Sequence, residues 1–138
     1  MGLTDYSDIE QEIKDAPEPK VLPAGTEVFA RIISVNSGTS EKNNCIWHNL
    51  TFDIEDEPLV IEFRKFMWEL DKDHLTQKQF ARALNDFQKF AECFNLDYSR
   101  PFSWEDDLIG LEGWVILGIQ KDDEYGDRNS IKKFTIRK

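Results

Sequence analysis

Trp47 in "CIWHN", Phe66 and Trp68 in "RKFMW", and Tyr125 in "DDEYGD" are aromatic residues set among charged or polar neighbours. An exposed flat ring stacks well against another flat ring, and each nucleobase stacked on one contributes about 1–3 kcal/mol. A chain of bases also carries phosphates, so the same surface needs Lys or Arg. Strand alternation puts Arg64 on the parity of Phe66 and Trp68, and Lys42 falls in a polar loop just before Trp47. Lys121, Arg128, Lys132 and Lys133 surround the turn that holds Tyr125, and Arg31 lies on the strand preceding Trp47. These residues are the candidates for stacking and for backbone contact.

Other chemistries fit the spacing less well. Cys45, His48, His74 and Cys93 are zinc-ligand types, but only "CIWH" is local, and residues three apart on a strand point to opposite faces. Asp53, Glu62 and Lys65 suggest a metal-dependent nuclease, yet the same alternation separates Glu62 from Lys65. No Gly-rich phosphate loop, nucleophile elbow or triad pattern occurs. The expectation is a protein that is not an enzyme and takes neither cofactor nor metal.

Charge sharpens the question. The 138 residues sum to −10, but unevenly. Residues 1–20 hold six acids and two bases, whereas "RNSIKKFTIRK" at 128–138 holds five bases (Arg128, Lys132, Lys133, Arg137, Lys138) and no acid. A chain this acidic does not attract nucleic acid through its overall field, so any such binding must be local. No run approaches the roughly 18 apolar residues that a membrane span needs. The opening "MGLTDYSDIEQEI" lacks the basic and apolar regions of a secretory signal, and two cysteines make no disulfide framework. A soluble, cytoplasmic protein without membrane contact is expected.

The elements that must position these groups follow from period. Residues 1–20 read as an acidic arm with a short helix capped by Thr4 or Asp5, ended by "APEPK". A single domain over 21–138 follows. Strands are expected at 27–36, with Phe29, Ile33 and Val35 on one parity, and at 45–54, with Trp47, Asn49, Thr51 and Asp53 on one face. A third is expected at 59–68. A helix over 76–97, capped by Thr76, presents Phe80, Leu84, Phe87, Ala91 and Phe94 as its apolar stripe. Strands at 114–121 and 128–137 close the chain. Three strands, a helix and a hairpin is the order of a mainly β fold, the five-stranded OB-fold-like barrel, whose second and third strands bind oligonucleotides or oligosaccharides.

The order of "TDYSDIE", "VLPAGTEVFARIISV", "QFARALNDFQKFAECFNLD" and "DLIGLEGWVILGIQKDDEYGDRNSIK" resembles small phage-encoded single-stranded DNA-binding proteins, an OB-fold family formerly of unknown function. The resemblance spans nearly the whole chain and is most specific in the last hairpin. It implies strand coating in phage replication or recombination within the host cytoplasm. It also implies roles for Tyr125, Arg128 and Asn129. Many such proteins end in an acidic tail that recruits partners; this chain ends in Arg137 and Lys138, which puts tail-mediated recruitment in doubt. The expected function is non-catalytic, largely sequence-independent binding of single-stranded DNA by a monomer or homodimer, with phage or host replication and recombination proteins as further partners. The alternative is an acidic OB-fold adaptor for another protein, or a DNA mimic.

Overall fold

A computed structural model of the chain describes residues 2–124 and 126–136. Five strands, β1 (Glu27–Thr39), β2 (Ile46–Asp53), β3 (Phe63–Trp68), β4 (Glu112–Gln120) and β5 (Arg128–Phe134), close into a barrel in the order β1-β2-β3-β5-β4. All neighbours are antiparallel except β3 and β5, which meet in parallel at Arg64 and Ser130. A short helix α1 (Glu10–Lys14) precedes the barrel, and a long helix α2 (Gln77–Phe94) lies between β3 and β4. This is the OB-fold-like topology that the order of elements predicts.

β1 serves two neighbours. Its first five residues pair with β4, while Arg31 onward pairs with β2. A bulge between Ile32 and Ser34 lets it turn from one to the other. The bulge also shifts parity: Val28, Ala30 and Ile32 are buried, and Val35 rather than Ser34 continues the inward row. Val35 is thus separated from Phe29, contrary to simple alternation. The strand also runs to Thr39, past the predicted end at 36, because Ser37, Gly38 and Thr39 pair with His48, Trp47 and Ile46.

β3 begins at Phe63 rather than at 59. The backbone of the preceding segment is taken by the chain entering the barrel: Lys20 N–H donates to the Leu59 carbonyl, and Ile61 N–H to the Lys20 carbonyl. The N-terminal helix has no side-chain cap either; Asp5 instead accepts from the Ser7 amide at 2.9 Å in a local turn.

α2 seals one end of the barrel. Phe87, Phe90, Ala91 and Phe94 are its buried residues, while Leu84 stays exposed. Phe94 packs 5.7 Å from Phe52 and 6.1 Å from Phe134, and Phe90 lies 5.8 Å from Phe134. Many of the phenylalanines are therefore plug and core. Gly113 on β4 permits this closeness, since a Cβ there would meet the Cys93 carbonyl at 2.9 Å. The helix starts at a reciprocal cap: the Thr76 hydroxyl accepts from the Gln79 amide, and the Gln79 side chain accepts from the Thr76 amide. It ends at Asn95 in the left-handed region, φ 56°. Among the described residues no helix is long and apolar enough to cross a membrane.

Thr76→Ala removes an N-cap acceptor and is expected to cost about 1 kcal/mol in urea unfolding, with Thr76→Ser close to wild type. Equal stability of all three would show that packing of the phenylalanine stripe alone sets where the helix begins.

Candidate nucleic-acid interface

Cross-strand register builds an aromatic row on the outer face of β2 and β3. Trp47 lies opposite Trp68 and Asn49 opposite Phe66, with no bulge between the two strands. Trp47 and Phe66 stack with centroids 6.3 Å apart, and Phe66 meets Trp68 edge-on at 4.9 Å. Phe66 is 47% exposed, and the two indoles are half-buried by one another and by their strands. Gly38 on β1 completes the floor. A Cβ at that position would sit 2.5 Å from the Trp47 ring, so only glycine lets the indole lie flat across the strand.

The cations are arranged around this row. Arg64 continues the same face of β3, two residues before Phe66, and is exposed. It opens onto a cleft of about 490 Å³ shared with Glu62, Gln120, Asp122 and Arg128. That cleft holds two cations and two acids, so it is balanced rather than basic. Arg128 therefore faces the Arg64 end of the row, and Trp68 is about 13 Å further along β3. Lys42 is exposed in the β1–β2 turn, just beyond the Trp47 end. Lys132 and Lys133 are both exposed because β5 bulges opposite Ile116 and Leu117. The Lys132 Cβ lies beside Gly118 on the outer side of the hairpin. Lys121 is exposed where β4 ends. Tyr125, Arg137 and Lys138 lie outside the described residues.

Two of the expected contact residues have partners within the fold. Asn129 is 4% exposed and turned inward. Its Oδ1 accepts from the Leu22 amide at 2.9 Å, and its Nδ2 donates to the Leu22 carbonyl at 2.9 Å and the Gly118 carbonyl at 3.1 Å. It ties the chain entering β1 to the hairpin, leaving no amide proton for a phosphate. Strand parity carried that signal, since Arg128 and Asn129 cannot share a face. Arg31 points outward but is held by Asp53 at 3.2 Å and Glu55 at 3.8 Å, and the hydrogen bond to Asp53 holds its pKa above the ordinary value. Its charge is balanced within the fold.

The rival chemistries do not assemble. Lys65 turns away from the outer face to pair with Asp86 of α2 at 3.2 Å, while Asp53 faces Arg31 and Glu62 faces the cleft. His48 is buried between the Ser37 hydroxyl at 2.6 Å and Glu69 at 2.5 Å, stacked 4.0 Å from Trp104. His74 pairs with Asp71, and the Cys93 thiol donates to the Trp114 carbonyl at 3.1 Å. Burial pushes the Cys93 thiol up to about 11, and that of Cys45 upward as well. Among the described residues no group of three or more His, Cys, Asp or Glu could hold a metal ion.

Sequence reasoning missed two features. Arg82, Gln79, Ala83, Asn85 and Asp86 of α2 line a second groove with Phe66 and Trp68. Elsewhere, Phe29 and Trp114 form an aromatic pair, centroids 5.3 Å apart, where β1 meets β4. Glu27 and Glu112 border that pair, and the nearby Arg31 is already paired. No family model matches this chain, and no curated protein matches it. What the fold defines is an OB-fold-like barrel with an aromatic row on its β2–β3 face.

Asn129→Ala strands three backbone groups and is expected to destabilise the fold by about 2–3 kcal/mol in urea unfolding, without changing the affinity of folded protein for any ligand on the outer face. Unchanged stability with weakened binding would return Asn129 to the interface.

Proposed function

We propose that the chain binds single-stranded DNA without catalysis and largely without regard to sequence. The observation that carries this reading is the row Trp47, Phe66, Trp68, side by side on the β2–β3 face with Arg64 continuing it. Every base has a flat face, so a row of rings accepts bases irrespective of sequence. Arg64, Arg128 and Lys42 follow the backbone, with Lys121, Lys132 and Lys133 on the hairpin side. The acidic remainder of the surface repels duplex, which presents phosphates on both sides and hides its base faces. With only three or four phosphates met, log K falls with log salt at a slope of about −2 to −3.

Strand coating in phage replication or recombination, in the host cytoplasm, is the setting that the family resemblance supports. The adaptor reading has its own observation: the Phe29–Trp114 pair is a second aromatic surface, flanked by Glu27, Glu112, Arg31 and Lys133, and such a mixed-charge rim suits a protein partner.

Fluorescence anisotropy of a labelled oligo-dT, at low and moderate salt and with duplex as competitor, tests the proposal. Salt-sensitive binding that duplex does not compete away is expected, and Trp47→Ala is expected to weaken it about tenfold. Absence of binding at low salt would leave the adaptor reading in its place.

A further inference from the structure

The outer row does not end at Trp68. Phe66, Met67 and Trp68 form one wall of a groove of about 490 Å³, and Gln79, Arg82, Ala83, Asn85 and Asp86 of α2 form the other. Its charge follows from one ion pair. Asp86, the acid among these residues, is bound by Lys65 at 3.2 Å, so its carboxylate is already balanced. Arg82 is exposed and makes no ion pair within 4.0 Å among the described residues. An unpaired guanidinium thus stands beside two exposed or half-exposed rings, in a chain of net charge −10.

That combination suits one ligand chemistry. A nucleotide offers a flat base for the rings of Phe66 and Trp68 and a phosphate for the planar, multiply donating guanidinium. The Asn85 carboxamide supplies a donor and an acceptor for a base edge or a sugar hydroxyl. An apolar peptide would find a wall that is mostly amide and charge, and an acidic peptide would leave the rings without flat partners. The groove is continuous with the stacking row through Phe66 and Trp68, which belong to both.

We infer that the groove between β3 and α2 is a further nucleotide subsite, in which Arg82 binds a backbone phosphate of the strand that stacks on Trp68. This inference rests on the single-stranded DNA reading and adds to it a path: the strand leaves the barrel face alongside α2. The helix then has two jobs. Its buried stripe seals the barrel, and its Arg82 edge is part of the wall of the binding surface.

The test is the salt dependence of oligo-dT binding, followed by anisotropy, for wild type, Arg82→Ala, Arg82→Glu and Arg100→Ala. Arg100, tied to Asp97 at 3.4 Å in the segment after α2, is the control for loss of one positive charge. Loss of one phosphate contact lowers the magnitude of the slope by about 0.7. The expected result is that decrease in Arg82→Ala, with affinity about fivefold weaker at low salt. Arg82→Glu should be weaker still, and Arg100→Ala should match wild type. Binding by wild type with the same slope and affinity in Arg82→Ala would overturn the subsite and leave the stacking row standing. An equal decrease in Arg100→Ala would overturn it as well, by showing a net-charge effect. Failure of wild type to bind would remove the underlying reading and the subsite together.

Discussion

The barrel depends on one strand having two partners. β1 must pair with β4 along its first residues and with β2 along the rest, and Arg31 stands where it belongs to both. A flat strand cannot do this, because closing a sheet on itself requires a change of direction. The bulge between Ile32 and Ser34 supplies that change. Everything on the outer face follows from it. The bulge brings Gly38 opposite Trp47, and the bare backbone of Gly38 lets the indole lie down beside Phe66.

Parts of this arrangement are legible in the sequence and parts are not, for physical reasons. β2 and β3 pair without a bulge, so alternation alone puts Trp47, Phe66 and Trp68 on one face. The helix is legible because its buried stripe and its capping residues agree. The far end of β1 is not, because Ser37, Gly38 and Thr39 have the composition of a loop and are held in the sheet only by their partners. Leu59 and Ile61 alternate as well as any strand, yet their backbone bonds go to Lys20, which bridges Val60 from far away in sequence. The place of Arg82 beside Trp68 depends on how the helix docks, which periodicity along one element does not encode. Asn129 shows the reverse case: alternation turns its side chain away from that of Arg128, and it bonds to Leu22 and Gly118.

Electrostatics divides the surface more finely than net charge suggests. The cations of β5 do not form one basic wall beside the rings. Arg128 shares its cleft with Glu62 and Asp122, and bulging spreads Lys132 and Lys133 over the solvent side. The opposite aromatic pair, Phe29 and Trp114, lies among charges of both signs: Glu27 and Glu112 flank it, with Arg31 opposite Glu112 and Lys133 opposite Ile116. Of the two ring surfaces, only the β2–β3 row has Arg64 on its own face and Arg82 along its edge, neither of them in an ion pair among the described residues. Stacking therefore carries more of the proposed affinity than counterion release, which is the expected balance for a small acidic barrel.

The four indoles of this chain report separately on the proposed stacking of bases on the β2–β3 row. Trp47 and Trp68 lie in the row, Trp104 is buried against His48, and Trp114 is beside Phe29. A titration with oligo-dT followed by the indole N–H resonances in a nitrogen–proton correlation spectrum is the most direct test. Large shifts are expected for Trp47 and Trp68, with stationary signals for Trp104 and Trp114. Shifts centred on Trp114, or bound oligonucleotide with Trp47 and Trp68 unmoved, would contradict it.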